Sequence, residues 1–473
     1  MAARPFNDVT MTCQATLAQL TSLLDATPVN VLDSVLPTLA TAINTDTRSL
    51  QPGEVFLALR GETFDGHSFV ETAFEKGAIA AIVDSPAPIP YPFLQVPDTL
   101  KAYQAIAHWW RTQFTNPVIA VTGSVGKTTT KELIAAVLSV PRSSDFTPQV
   151  LKTQANFNNE IGVPKTLLEL GSNHDYAIVE MGMRARGEIA LLSQITQPDI
   201  AVITNVGTAH IGRLGSEAAI AQAKCELLAE MPTSSIAVLN HDNPLLLHTA
   251  QSIWQGKTIT FGLEGGDIQG QLVSPEILRV DGIDLPLPLA GRHNALNYLA
   301  ALAVAKVLGL DWAPLTAGLS VELPGGRAKR LELPNDVVIL DETYNAGLES
   351  MLASLHLLAQ TSGRRRIAVL GTMKELGEQS PKFHYQVGAF VQQLQLDHLL
   401  ILAEEPEASA MQDGAGNVPA EKFTNHVAVV ERLQELVQPG DRLLFKASRA
   451  VALDRVVAQF RQDYESCSSS KPV

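Results

Sequence analysis

The sequence predicts an α/β protein of three domains: a small amino-terminal α/β domain, a central parallel sheet of the P-loop ATPase type, and a carboxyl-terminal domain of Rossmann type. Three observations carry this. From Asn116-Pro117 onward, short apolar runs of strand type alternate with helical stretches, the pattern that builds a parallel, doubly wound sheet. A glycine-rich turn, Thr122 to Thr129, lies between the first of those strands and the helix after it. The alternation breaks at the turn-rich segment LPGGRAK (323–329) and then restarts.

The elements follow in order. Residues 1–112 hold short apolar runs broken by turn signals such as Gln51-Pro52-Gly53 and Ser85-Pro86-Ala87-Pro88. PVIAVTG reads as a strand and KTTTKELIAAVLSV as the helix after it; YAIVEMG, DIAVITNVG and SIAVLN read as further buried strands. Beyond the linker come DVVILDE, a helix from Leu348, RIAVLG, a second helix, DHLLILA, RLLFKAS and a last helix. The expected domains are therefore 1–112, 113–325 and 326–473. Ser468 to Val473 is a low-complexity tail expected to fray, and Met11 is an alternative initiator to Met1.

Composition bounds the function. A chain of 473 residues with 46% apolar content has room for several cores. A net charge of −14 argues against a nucleic-acid partner or a membrane surface. It leaves anionic substrates open, because a local cluster of donors binds phosphate on an acidic protein. Cys13, Cys225 and Cys467 are far apart, with neither a disulfide framework nor a zinc spacing, which points to a reducing compartment. There is no apolar run of the roughly 18 residues a membrane span needs, and the start has no basic stretch followed by an apolar one. The expectation is a soluble, cytoplasmic protein.

The most informative stretch is Thr122-Gly123-Ser124-Val125-Gly126-Lys127-Thr128-Thr129. Glycines let backbone N–H groups approach an anion, and the start of the next helix adds its positive dipole end. Lys127 is then expected on the β- and γ-phosphates of ATP, with the Thr128 hydroxyl toward Mg²⁺. Val121 stands where the usual P-loop has its first glycine, so the pattern is a shortened Gly-x-x-Gly-Lys-Thr. The plainer alternative is a tight strand-to-helix turn with an exposed lysine.

Glu180 and His210 each follow an apolar strand at its carboxyl end, the edge where open α/β sheets bind ligands and a carboxylate can hold Mg²⁺. Either could instead be an ordinary loop residue capping a helix. Lys224 is more unusual. In SEAAIAQAKCELLAEM, Ser216 is the expected N-cap, and Ile220, Leu227, Leu228 and Met231 share a helix face with Lys224. A lysine there either snorkels or is held for chemistry. Desolvation lowers an amine's pKa, and a neutral amine combines with carbon dioxide to give a carbamate, an oxygen ligand for a cation.

The stretches TGSVGKTTTKE, TQANFNNEIGVPKTLL, VEMG, TNVGTAHIG, AQAKCE and GRHNALNYLAALAVA together resemble the Mur ligases of peptidoglycan synthesis. DTRSLQPGEVFLALRGETFDGHSF is similar to the amino-terminal nucleotide-sugar domain of the same family. LDETYNAGLESM and LGTMKELGEQSPKFHYQVG resemble the member that joins D-Ala-D-Ala to UDP-MurNAc-tripeptide, and the Asp-Asn-Pro-Arg motif typical of the preceding ligase is not found.

The resemblance implies an ATP-dependent amide ligase working through an acyl phosphate, with two Mg²⁺ ions and a monomeric state. It implies that Gly123, Ser124, Val125, Gly126, Lys127, Thr128 and Thr129 bind the ATP phosphates. Thr128 and Glu180 would hold one Mg²⁺, and His210 with a carbamylated Lys224 the second, so that Lys127, Glu180, His210 and Lys224 form the catalytic set. Asn297 is expected near adenine, and Arg330, Asp341 and Glu342 near the γ-phosphate and ribose. Thr47 and Arg48 are expected on the uridine diphosphate, Asn158 and Asn159 elsewhere on substrate, and Lys446, Ser448 and Arg449 toward the dipeptide. Ala447, Thr372, Glu342 and Gly347 depart from the family's commoner Gly, Asp, Asp and Asn. Two alternatives remain: another ligase of this group, adding the third peptide residue or glutamate to a folate, and a nucleotide-switch ATPase.

Overall fold

The computed structural model describes residues 12–61, 63–85, 90–143 and 146–469. Met11, most of the Ser85-Pro86-Ala87-Pro88 turn and the last four residues of the tail lie outside them. Three larger sheets carry the fold, beside a two-stranded pairing of Ala15–Thr16 with Leu39–Ala40.

The first sheet has five strands, ordered Thr27–Val29, Phe93–Gln95, Ala80–Val83, Val55–Leu57, Ile43–Asn44, parallel except for the outermost pair at Thr27–Val29. The helix Thr99–Arg111 follows it and reaches into the central body. Trp110 Nε1 donates to Leu170 O at 2.8 Å, and Arg111 Nη2 pairs with Asp199 Oδ2 at 2.9 Å.

The central sheet has nine strands. Six run parallel from Val150–Lys152 through Tyr176–Glu180, Val118–Thr122, Ile200–Ile203 and Ile236–Asn240 to Lys257–Gly262, and Ile268–Ser274 pairs parallel beyond them. Val118–Thr122 is buried on both faces, which is why it reads as a continuous apolar run. Val118 and Ala120 face one core layer, while Ile119 and Val121 face the other with Leu133, Leu299 and Leu302.

The expected parallel central sheet carries an antiparallel addition at its far edge. Ile277–Val280 and Ile283–Pro286 form an antiparallel hairpin on Ile268–Ser274. The two-residue turn between them is Asp281-Gly282, both with positive φ, the conformation an Asp-Gly hairpin turn requires.

The third sheet has six strands, ordered Lys329–Leu333, Val337–Glu342, Arg442–Lys446, Arg366–Gly371, His398–Leu402, Ala420–Phe423, parallel except for the first pair. The helix expected from Leu348 runs Leu348–Gln360, and the last helix Asp454–Ser469. One apolar core continues through all three bodies, joining Leu57, Ala120 and Ala368. No helix among the described residues is long and apolar enough to cross a membrane.

Candidate active site

The chain crosses from one side of Val118–Thr122 to the other at the carboxyl ends of the central strands, since Tyr176–Glu180 flanks it on one side and Ile200–Ile203 on the other. That is the topological switch point of the sheet, and the glycine turn sits there.

The turn is stapled from behind. Ser124 N donates to Asn205 O at 3.1 Å, Val125 N to Asn205 Oδ1 at 3.0 Å, and Thr204 Oγ1 to Val125 O at 2.7 Å. Its glycines are demanded by space as well as by conformation. A Cβ on Gly123 would lie 1.9 Å from Thr204 Oγ1, and one on Gly126, at φ +81, would lie 2.5 Å from Asn297 Oδ1. The helix Lys127–Leu138 starts directly after Gly126, with Thr128 and Thr129 buried.

Lys127 is not the solvated loop lysine of the plainer reading. It is half-buried, and its ammonium folds back to donate to Gly123 O at 2.8 Å and Ser124 O at 3.4 Å. Burial lowers its pKa, opposed by the nearby Glu180 carboxylate.

Glu180 ends its strand, buried. Asn158 Nδ2 donates to its Oε1 at 2.8 Å, while Oε2 is buried without a hydrogen-bond partner, the nearest cation being Lys131 Nζ at 3.8 Å. Asn159 points elsewhere: its Oδ1 accepts from Ile161 N and Gly162 N at the start of the helix Gly162–Leu168. Lys131, which the sequence reading passed over, is fully buried, donates to Thr153 O at 2.6 Å and pairs with Glu132 at 3.1 Å.

Lys224 lies in the helix Glu217–Glu230, capped by Ser216 as expected. The lysine is 1% exposed, so it does not snorkel. Burial holds its amine well below the ordinary lysine value, and neighbouring Lys127 pushes in the same direction. No carboxylate pairs with it among the described residues. His210 sits at the head of the short helix Ile211–Leu214 with φ +67, and its Nδ1 lies 2.5 Å from Glu375 Oε2 of the third domain.

The remaining expected residues divide. Asn297, on the helix Arg292–Val307, accepts from Thr130 Oγ1 at 3.2 Å and so lies against the loop's helix. Lys446 is buried, donates to Asn345 O at 3.1 Å and pairs with Glu342 at 3.7 Å; burial lowers its pKa. Asp341 Oδ1 is taken up by Thr343, at 2.6 Å from its hydroxyl. Ser448 is buried, its Oγ accepting from Lys374 N at 2.9 Å, whereas Arg449 is exposed and pairs with Asp454. Thr47 and Arg48 lie at the first sheet, where Arg48 pairs with Asp46 at 2.7 Å and Thr47 O accepts from Lys76 Nζ.

Arg330 lies on the exposed edge strand, paired with Glu332. Arg327, three residues earlier, is the guanidinium within electrostatic reach of Lys127 and Lys446; it stacks over Tyr344 at 3.9 Å with a buried, unpartnered Nε. In sequence LPGGRAK reads only as a linker, and its arginine is the available signal.

Fold and loop define an α/β protein of P-loop type with an appended Rossmann-like domain. Family models agree: the Mur ligase middle domain matches residues 121–305, the Mur ligase glutamate ligase domain 326–449, and the Mur ligase family catalytic domain 40–134. A Synechocystis sp. protein named UDP-N-acetylmuramoyl-tripeptide–D-alanyl-D-alanine ligase is 62% identical over 421 residues, covering 88% of this chain and 91% of its own. A crystal structure of MurF from Acinetobacter baumannii superposes with a TM-score of 0.87 at 32% identity, covering 96% of this chain and all (100%) of its own. The MurF ligase of Thermotoga maritima in complex with ADP gives 0.80 at 31% identity, covering 90% and 98%. The chain belongs to the Mur ligase family.

Proposed function

We propose that this chain is an ATP-dependent ligase that joins D-Ala-D-Ala to UDP-MurNAc-tripeptide in the cytoplasm, acting as a monomer. The observation that carries the reading is the glycine turn at the switch point, shaped for phosphates, with Lys127 rising from it and the buried Lys224 and Glu180 within electrostatic reach of that lysine. The names borne by its relatives supply the substrates.

The residues suit the chemistry. The terminal carboxylate of the tripeptide attacks the γ-phosphorus of ATP, ADP leaves, and an acyl phosphate forms. The dipeptide amine then attacks the acyl carbon, loses a proton, and phosphate departs as the amide forms. Lys127 and Arg327 offset the charge where ATP and a carboxylate converge. Asn297 lies toward the adenine, Lys446 and Glu342 toward the third-domain side of the nucleotide, and Thr47 and Arg48 take the uridine diphosphate. No enzyme nucleophile is needed. Apposition of the third domain excludes the water that would hydrolyse the acyl phosphate.

Divalent cations fit this donor set. Glu180 Oε2 is a buried oxygen without a hydrogen-bond partner, and Thr128 is buried in the first turn of the helix after the glycine turn. Among the described residues no three His, Cys, Asp or Glu side chains gather to hold a metal, so cations here depend on substrate oxygens as further ligands. Thr128 and Glu180 would hold one Mg²⁺; His210 and a carbamate on Lys224 would hold the other. Bound Mg²⁺ supplies charge neutralisation for the phosphoryl group. A neutral Lys224 amine adds to carbon dioxide and releases a proton, becoming an anionic oxygen donor.

Phosphate release measured with UDP-MurNAc-tripeptide, with and without D-Ala-D-Ala, tests the reading. Release should require both. Rapid hydrolysis with neither would favour an ATPase switch, and efficient turnover with free diaminopimelate or lysine would favour the ligase one step earlier.

A further inference from the structure

The third domain meets the central domain on loop 207–212, and two carboxylates the mechanism does not use make that contact. Glu349, in the first turn of Leu348–Gln360, accepts from Thr208 N at 2.6 Å through Oε1 and from Thr208 Oγ1 at 3.2 Å through Oε2. A Cβ on Gly207 would lie 2.6 Å from the Glu349 carboxyl carbon, so the loop is shaped to that side chain. Glu375 makes the second contact. Its Oε2 lies 2.5 Å from His210 Nδ1, its Oε1 3.6 Å from Arg213 Nη2, and its backbone O accepts from Gly212 N at 3.1 Å.

Backbone geometry shows the seam to be built. Gly212 and Gly377 appose main chain to main chain: a Cβ on Gly212 would lie 2.5 Å from Gly377 N, and one on Gly377 2.8 Å from Gly212 Cα. His210 and Glu375 both hold positive φ, +67 and +65, a conformation non-glycine residues keep only where their surroundings enforce it. The same loop is tied to the phosphate turn, since Gly207 N donates to Ser124 Oγ at 2.9 Å.

We propose that loop 207–212 is a two-point docking seat for the third domain, clamped by Glu349 and Glu375, and that Glu375 is the positioning residue for His210. The Glu375 carboxylate meets the Nδ1 edge of the imidazole, though the N–H is not aligned on it as in a full hydrogen bond. A carboxylate there favours the Nδ1–H tautomer and leaves Nε2 with its lone pair for a cation. Because Glu375 belongs to the third domain, His210 is oriented only when that domain is seated. The cation site and domain docking are then one device. This rests on the reading of His210 as a cation ligand.

The test uses the full chain and two readouts: the Mg²⁺ dependence of phosphate release, and the radius of gyration from small-angle scattering. Glu375→Gln should raise the Mg²⁺ concentration for half-maximal rate about 10-fold or more, the usual effect of removing a ligand's outer partner, with kcat at saturating Mg²⁺ far less affected. Combined with His210→Ala it should add nothing. Gly212→Ala, at a position without positive φ, strains only the seam and should enlarge the radius of gyration. Glu349→Gln should enlarge it too and, by drawing Glu375 away from His210, should raise the Mg²⁺ requirement as well. If His210→Ala shifts the Mg²⁺ dependence and Glu375→Gln does not, the positioning role is overturned while the His210 reading stands. If His210→Ala shifts nothing, the His210 reading fails and the positioning role with it. Scattering unchanged in both Gly212→Ala and Glu349→Gln overturns the docking seat.

Discussion

Asn158 holds Glu180 by one oxygen: its amide donates to Oε1 at 2.8 Å and leaves Oε2 buried and unpartnered. The strand delivers the carboxylate and the loop before the helix Gly162–Leu168 aims it. A residue expected on substrate by resemblance is thus in contact with an expected cation ligand. Asn158→Ala should let the carboxylate rotate, raising the Mg²⁺ requirement of phosphate release by about 10-fold while UDP-MurNAc-tripeptide affinity changes little. A raised KM for the nucleotide-peptide with an unchanged Mg²⁺ profile would return Asn158 to the substrate.

Lys127 donates to two carbonyls of its own turn, so its loss leaves Gly123 O and Ser124 O to water at a half-open site. The fold should tolerate this, with melting shifted by only a few degrees for roughly 1 kcal/mol lost. Turnover should not tolerate it. Removing a charge from the transferred phosphoryl group costs about 3 kcal/mol or more in the barrier, on the order of a 100-fold loss. Calorimetric melting and phosphate release on Lys127→Ala check both halves; near wild-type turnover would remove the phosphate-loop assignment.

How much of this was legible follows from how local each signal is. Val118–Thr122, Tyr176–Glu180 and Ile200–Ile203 are buried on both faces, and burial on both faces writes itself as unbroken apolar runs. Lys224 was legible because helix periodicity alone puts it among Ile220, Leu227 and Leu228. The Ile277–Pro286 hairpin carried its Asp-Gly signal too, but its alternating strands do not resemble the buried runs beside them. Lys131 was not legible, because its partners Thr153 and Glu180 arrive from distant parts of the sequence. Neither was the position of Arg327, which turns on how a linker folds against Tyr344. Contacts such as Glu349 to Thr208 span 141 residues of sequence and have no local trace.

Lys224 without its modification is a liability to the fold, and pH exposes it. Burial puts its folded pKa well below the ordinary lysine value, so between those two values the unfolded chain binds a proton that the folded chain does not. Stability therefore rises with pH across that window, and the deficit vanishes above the ordinary lysine value. Lys224→Met keeps an unbranched side chain and removes the amine. In carbon-dioxide-depleted buffer the variant should be more stable by on the order of 2 kcal/mol, with a larger margin near neutral pH than in alkaline buffer. Thermal unfolding of both proteins across pH decides it; a margin independent of pH would mean the amine is solvated.

The same residue separates carbamate from cation by function. If Lys224 carries a carbamate, Lys224→Ala loses an anionic oxygen ligand and leaves a hole of about the right size for a small acid. Acetate or formate should then partly restore phosphate release, and chloride at equal ionic strength should not. Lys224→Arg keeps a positive charge but forms no such carbamate. It should be as inactive as Lys224→Ala, and carboxylates should not rescue it, because the guanidinium fills the space. Were Lys224 an ammonium pairing with substrate phosphate, the order would invert: Lys224→Arg would retain activity and added carboxylate would inhibit. The burial of Lys224 at 1% exposure, with Lys127 beside it, argues for the first outcome, since a second ammonium there would be desolvated and repelled by the Lys127 charge. An active arginine variant, or a wild-type rate unaffected by stripping carbon dioxide and restoring bicarbonate, would sink the carbamate.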